Sequence, residues 1–463
     1  MSYDVSFQLT SPASRFDGVE KAGMALVGFG ALAWIVALFA GDLGQPLAVF
    51  LAGALGIGVG AMIYFRRYLK RPAGIDNDGL WQNAVTTGMK GIGGWTLGIV
   101  LTGFYCILYW KEGWLANLIP VFDPLSMVLK HQPADKWFMY GTLYTLAVLV
   151  MGVRMLIKYR YNRYQILRTL SVMFFQLGFA FILPGLLVMF NQPEFYFSYF
   201  WPLKYDYLWP GTIDWLSGSG QVGLFMILWG AVMFFVATPI LTYFFGKRWY
   251  CSWICGCGGL AETMGDPFRQ LSDKSLKAWQ IERWTIHGVL VFVVLTTAAL
   301  WINSATEGAL LGGLSGTFSS WYGFFIGLIF AGVVGTGFYP ILGNRVWCRF
   351  GCPMAAVLGM FQKWFSRFRI TTNGGQCISC GNCSTYCEMG IDVRWYAQRG
   401  QNIIRSSCVG CGICSAVCPR GVLKLENGPR EGRYNGPVLI DRDSVSILAD
   451  EPIVGRVKSP QRP

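Results

Sequence analysis

The chain alternates between long apolar runs and shorter polar segments. Eight runs, near 22–40, 46–65, 92–110, 137–156, 169–190, 222–245, 285–303 and 321–342, carry almost no charge. Each is close to the ~20 residues that take an α-helix across a hydrocarbon core of about 30 Å. Soluble proteins do not repeat uncharged runs of this length so often, and the pattern predicts an all-α polytopic membrane protein of about eight transmembrane helices. The polar opening stretch lacks a basic-then-apolar signal, so the first run is expected to remain as an anchor. The centres of the runs hold no Asp, Glu, Lys or Arg, which argues against a proton pump or an ion carrier.

Composition agrees: 53% of the residues are hydrophobic and 14% charged, against about 25% charged in soluble domains. The net charge of +13 is unevenly placed. Arg66, Arg67, Lys70, Arg71 and Lys90 follow the second run, Arg154, Lys158, Arg160, Arg163 and Arg168 flank the fourth and fifth, and Lys247, Arg248, Arg269, Lys274, Lys277 and Arg283 follow the sixth. The alternate loops hold only Lys111, Lys130, Lys136 and Lys204. The bias predicts a multi-pass protein of a bacterial cytoplasmic (inner) membrane with N- and C-termini in the cytoplasm, and no nucleic-acid partner. The aromatic-rich loop 191–221 reads as anchoring at the outer surface, ahead of a quinone pocket or a docking site.

The cysteines carry the chemistry. Cys377, Cys380, Cys383 and Cys387 read C-x2-C-x2-C-x3-C, and Cys408, Cys411, Cys414 and Cys418 repeat that spacing before Pro419. This is the spacing of a bacterial two-[4Fe–4S] ferredoxin, in which the fourth cysteine of each run reaches the other cluster. The expected ligand sets are Cys377, Cys380, Cys383 and Cys418 for one cluster, and Cys408, Cys411, Cys414 and Cys387 for the second. Zinc favours other spacings, and disulfides are disfavoured in a reducing compartment. Gly381, Gly410 and Gly412 suit backbone passing close to sulfide. Glu388 stands where proline usually follows the fourth ligand, and is expected to change that cluster's surroundings while leaving ligation intact. The fold class is thus a helical membrane bundle with a C-terminal α+β two-[4Fe–4S] ferredoxin domain. The chain divides into a four-helix membrane region (1–165), a duplicated four-helix unit (166–370), the ferredoxin domain (371–425) and an extended tail (426–463).

The duplication shows in GKRWYCSWICG and GNRVWCRFGCP, both G-x-R-x-x-C-x-x-x-C, at the ends of the sixth and eighth runs. Spacing of four would place Cys251/Cys255, and likewise Cys348/Cys352, on one face of a helix. A pseudo-twofold relation would bring the four thiols together, with Arg248, Arg345 and Arg349 favouring thiolates. A metal ion, a further cluster, a redox dithiol and plain buried packing all stay open for them. Cys257 could supplement or replace a ligand, and Cys106 reads as packing. With only His131 and His287 in the chain, expected at opposite faces, and no C-x-x-C-H, no haem is expected; each is structural or at most a hydrogen-bonding partner of a quinone.

As a set, R-x-x-C-x-x-x-C at 248–255, R-x-x-C-x-x-x-C-P at 345–353 and the eight ferredoxin cysteines resemble the NosR/NapH family of membrane iron–sulfur proteins over residues 166–425. The family repeats C-x-x-x-C-P twice; here Gly256 replaces the first proline. NosR-type members also carry a flavin domain ahead of the spans, where this chain shows four extra helices. The resemblance implies electron transfer between the quinone/quinol pool and other redox subunits, such as a periplasmic or cytoplasmic reductase or dehydrogenase. Whether the chain is itself an enzyme stays open, and two other readings stand beside this one. One is a copper reductase or assembly factor using the dithiols; the other is a membrane anchor and relay subunit of a larger complex.

Overall fold

The computed structural model describes residues 17–40, 44–68 and 92–427. Lys70, Arg71, Lys90 and most of the expected tail lie outside the described residues. Among the described residues, eight helices are long and apolar enough to cross a membrane: Gly18–Ala40, Pro46–Arg67, Gly93–Trp110, Lys136–Lys158, Arg163–Met189, Gly220–Phe245, Leu276–Ala305 and Leu314–Val334. In the most apolar stretch of each, between 11 and 39% of the residues are buried within the protein. The first two pack through glycines: a Cβ on Gly23 would stand 2.8 Å from the Gly60 carbonyl oxygen, an approach that only small residues permit.

Two spans differ from their expected limits. The seventh begins at Leu276, because Ser275 caps it by accepting from the Ala278 N–H at 3.1 Å and the polar first turns continue the helix. The eighth ends at Val334 rather than near 342. Gly335 packs where a Cβ would meet the Ala331 oxygen at 2.3 Å and Trp347 at 2.9 Å, and the chain turns before a separate short helix, Tyr339–Leu342.

The aromatic loop after the fifth span is not a surface anchor. It enters the bundle: the Tyr250 hydroxyl donates to the Ser198 carbonyl at 2.8 Å, Phe200 packs on Tyr250 at 5.1 Å, and Phe195, Phe200 and Tyr207 are buried. The return leg passes Phe234 through Trp201 (4.8 Å) and Tyr322 through Tyr205 (4.9 Å), then reaches Trp301, whose indole N–H donates to the Leu208 carbonyl at 2.7 Å. Non-helical backbone at membrane depth survives only where protein surrounds it. Here turns satisfy it locally, with Leu203 and Lys204 N–H both donating to the Phe200 carbonyl. The sequence shows aromatic density, which serves equally for interfacial anchoring and for filling a bundle. Lys204, expected outside, is carried inward with this loop.

The ferredoxin-type domain rests on the end of the bundle reached by the fourth, sixth and eighth spans. Strand β1 (Phe368–Thr372) pairs antiparallel with β2 (Leu423–Asn427), closing the domain's two ends together. Glu426 and Asn427, expected in the tail, are therefore strand. The bundle holds the 405–411 segment through its carbonyls: Gln362 donates to Cys408 (2.7 Å), Ser252 to Val409 (2.8 Å), Tyr164 to Gly410 (2.8 Å) and Gln165 to Cys411 (2.8 Å).

Gly256 is required by the re-entrant loop. A Cβ there would lie 2.1 Å from the Tyr199 hydroxyl and 3.0 Å from Gln176 Oε1. Gly256→Ala should lower stability by about 1–3 kcal/mol through overpacking. Adding Tyr199→Phe should recover part of that loss, as judged by thermal unfolding midpoints in detergent.

Candidate iron–sulfur and thiol site

Each C-x-x-x-C pair is built by the same backbone device. Cys251 closes the helical turn Arg248–Cys251, and Cys348 lies in the wide turn Trp347–Gly351. The chain then extends at Cys255 (φ −63°, ψ 124°) and Cys352 (φ −82°, ψ 112°), each the N-cap of a new helix, Gly256–Thr263 and Pro353–Trp364. Cys255 N–H donates to the Tyr250 carbonyl at 2.8 Å, and Cys352 N–H to the Trp347 carbonyl at 2.9 Å. The expectation that each pair shares one helix face is therefore incorrect. A break in the helix between the two thiols turns both inward, and Pro353 at the first helical position enforces it in the second repeat.

All four thiols are buried in one apolar core, with the second ferredoxin loop packed against it. Of the three arginines expected to favour thiolates, only Arg345 makes a contact with a thiol sulfur, 3.5 Å from Cys348 Sγ. Arg248 stacks on Phe368 (4.3 Å) and Arg349 pairs with Glu282 (2.8 Å). Burial consequently outweighs the cations: it pushes the Cys251 thiol up to about 12 and raises those of Cys348 and Cys352. Cys255 moves the other way, its thiol held low chiefly by a hydrogen bond from Cys257. Cys251, Cys348 and Cys352 are thus held toward the neutral thiol by burial, and Cys255 toward the thiolate.

The eight ferredoxin cysteines line two cavities. Cys377, Cys380, Cys383 and Cys418 surround one, and Cys387, Cys408, Cys411 and Cys414 the other. Gly381 (φ 83°) and Gly412 (φ 74°) open the matching short helices Asn382–Thr385 and Ile413–Ala416 from the left-handed region that favours glycine. Cys380 is exposed, whereas Cys408 and Cys414 are buried against the bundle. The cavities thus form a distal and a proximal position relative to the membrane. Four sulfurs around a small apolar space suit a cubane cluster, whose irons take one thiolate each.

A buried ion network joins the thiol core to the proximal cavity. Arg345 donates to the Cys251 carbonyl at 3.4 Å, to Glu262 at 2.6 Å, and pairs with Glu388 at 3.0 Å. Arg269 binds Glu388 (2.5 Å), Glu262 (2.5 Å) and Asp266 (2.7 Å). Arg168 pairs with Glu262, while Arg154 and Lys158 pair with Asp266. Glu262, Glu388 and Cys411 bring one ligand atom each within 4.8 Å of one another. Because arginines already hold both carboxylates, we read the cluster of acids as part of the ion network. Burial alone would raise Glu262 and Asp266, but their cations outweigh it and hold both carboxyls well below the usual range; burial wins at Glu388 and lifts it. Three carboxylates face five cations, and that positive excess suits thiolate-ligated clusters, which carry negative charge.

Glu262 and Asp266 were not anticipated, and Arg269 only as one of the basic residues that follow the sixth run. Their signal in the sequence is a polar face at spacings of four and three immediately after the first dithiol, in AETMGDPFR. Among the others, His287 lies on a basic groove with its Nδ1 2.7 Å from the Arg283 carbonyl, and His131 ends the helix Asp123–Lys130. Cys106 is half-buried in the third span.

Fold and site together define a polytopic membrane protein with 4Fe–4S ferredoxin-type domains. A 4Fe-4S binding domain family matches residues 227–275 and again 322–371, each segment carrying one C-x-x-x-C pair, and a 4Fe-4S dicluster domain family matches 376–423. The chain is similar to YccM of Escherichia coli (strain K12), a protein provisionally named for electron transport, with 27% identity over 200 residues. That match covers 40% of this chain and 56% of YccM, so the chain spans little more than half of that relative. No solved structure matches the chain.

Arg269→Met should take one cation from each of three buried carboxylates, leaving Glu388 with Arg345 alone, and cost about 3 kcal/mol, read as a lower unfolding midpoint in denaturant. The network also fixes a pH dependence. Groups whose pKa is depressed by folding stabilise the fold above their unfolded value of about 4, and that contribution fades as pH falls through the folded values. Wild-type stability should therefore drop on acidification below about pH 4, and Asp266→Asn should flatten that drop.

Proposed function

We propose that this protein passes electrons between the quinone/quinol pool and a redox partner through two [4Fe–4S] clusters, as the resemblance to NosR/NapH proteins implies. Cys408, Cys411, Cys414 and Cys387 hold the proximal cluster, and Cys377, Cys380, Cys383 and Cys418 the distal one. The observation that carries this reading is the continuity of sulfur from the bundle outward. The four dithiol sulfurs and the proximal cavity share one core, and the distal cavity ends at exposed Cys380. The electron-transport name of YccM supports the same direction of thought.

In this reading residues 1–165 flank the working unit, 166–370 bring electrons to the end of the bundle, and 371–425 deliver them. In this reading that end and both termini face the cytoplasm of an inner membrane, which the bias of basic residues supports. Oxidation of one quinol yields two electrons, one for each cysteine cavity, and two protons that return to solvent; the reverse balances equally, and the cluster potentials set the direction. The ion network holds the proximal ligand loop against the bundle and supplies positive charge beside it. In this reading Cys251, Cys255, Cys348 and Cys352 form a third centre, a metal ion or a further cluster, a role supported by the burial of four free thiols in one core.

Anaerobically purified protein should contain about eight iron atoms per chain from the dicluster domain alone. A third cluster would raise this to about twelve, with the excess lost in Cys348→Ser. Electron paramagnetic resonance of the protein treated with quinol should show both clusters reduced if electrons enter from the quinone pool, and with clusters pre-reduced by dithionite, added quinone should reoxidise them if they leave by it. Iron well below eight, or clusters inert to both quinol and quinone, would sink the proposal.

A further inference from the structure

One cavity at membrane depth remains unused. It occupies about 260 Å³ between the re-entrant loop and the eighth span, and it is mainly apolar. Tyr199, Lys204 and Tyr205 line it from the loop, Tyr322 from the span, and Cys257 and Trp347 close its inner end. Trp347 immediately precedes Cys348 and shares the apolar core of the four buried thiols, with Cys257 packed against that core. The span is wound as a π-helix over Tyr322–Val334, the wider turn that recurs at functional sites. Gly323 and Gly327 bring it against the loop, since a Cβ on either would come within 3.2 Å of Tyr205.

Lys204 gives the cavity its chemistry. An ammonium at membrane depth is costly and is kept where it faces a partner or a cavity. Lys130 pairs with Glu194 and Lys136 with Glu112, whereas Lys204 makes no ion pair among the described residues. An apolar slot walled by tyrosine rings, with one cationic donor and an end against redox-capable sulfur, fits a flat ring bearing carbonyl acceptors. We propose that this cavity is the quinone headgroup site, with Lys204 donating to one carbonyl oxygen and the mutually packed rings of Tyr205 and Tyr322 forming one wall against the headgroup. This rests on the quinone reading above and gives it a place. A larger groove of about 810 Å³ beside His287 is lined by Trp279, Trp364 and Trp395 but also by Lys274, Arg283, Lys363, Arg405 and Asp392, and these charges suit an anionic group better than a quinone.

The test uses the full chain with its clusters in nanodiscs and decylubiquinone as probe. Wild type should bind saturably, Lys204→Met about tenfold or more weakly, and His287→Ala as wild type. Unchanged cluster spectra in each variant establish that it has folded. A photoreactive azidoquinone should label residues 199–205 or 322–331. Equal binding by Lys204→Met and wild type, loss in His287→Ala instead, labelling elsewhere, or an anionic lipid retained at Lys204 that quinone does not displace would overturn the site. The two proposals fail separately. Clusters that exchange electrons with quinol or quinone equally well in Lys204→Met leave the function standing and remove the site. Quinone bound in the cavity of wild type without any effect on the clusters leaves the site and removes the function.

Discussion

The pair of guanidinium groups on Arg345 and Arg269, gripping Glu262 and Glu388 between them, is the contact on which the rest of the structure depends. It ties three separate pieces of chain: the helix after the first dithiol, the turn before the second, and the loop after Cys387. Buried charges are expensive, and one that loses its partner is worse than none. The network therefore acts less as a source of net stability than as a register device. The ferredoxin-type domain can sit on the bundle in one orientation only, the one that leaves no carboxylate and no guanidinium without its mate.

That constraint accounts for the oddity at Glu388. Where a proline would shape the turn after the fourth cysteine, this chain has an acid that reaches into the bundle. The turn is instead fixed from outside, by Arg269, Arg345 and Asn344, whose side-chain N–H donates to Glu388 at 3.1 Å. A local backbone preference has been exchanged for a tertiary one. The consequence is that the proximal cysteine loop and the dithiol core cannot move independently, which a relay between them would need if the separation of its centres is to stay constant.

Much of this was legible in the sequence. Eight apolar runs announce eight spans because the bilayer sets helix length, and the repeated cysteine spacing announces the cluster domain because a cubane fixes the reach between ligands. What could not be read were features set by partners distant in sequence. The dithiols looked helical because a spacing of four is a helical spacing, yet hydrogen bonds from Cys255 and Cys352 to carbonyls five residues back interrupt the helix between them. The arginines near them looked like thiolate-makers, yet Arg248 and Arg349 find a ring and a carboxylate instead. The loop carrying Lys204 looked external because nothing in its composition separates an interfacial aromatic from a buried one.

The two repeats are alike in backbone and unlike in what they face, and the substitutions between them mark the difference. After the second cysteine of the later repeat come Pro353 and Met354, both buried where the helix runs beneath the ferredoxin-type domain. The equivalent positions of the earlier repeat are Gly256 and Cys257, and there the neighbour is Tyr199 of the re-entrant loop. Proline would collide with that tyrosine; glycine admits it, and the next side chain becomes a thiol on the wall of the membrane cavity. A duplicated unit has thus been specialised by two residues, one half turned toward the clusters and the other toward the interior of the bilayer. On the proposed reading those are the two ends of one electron path, and the four thiols between them belong to both.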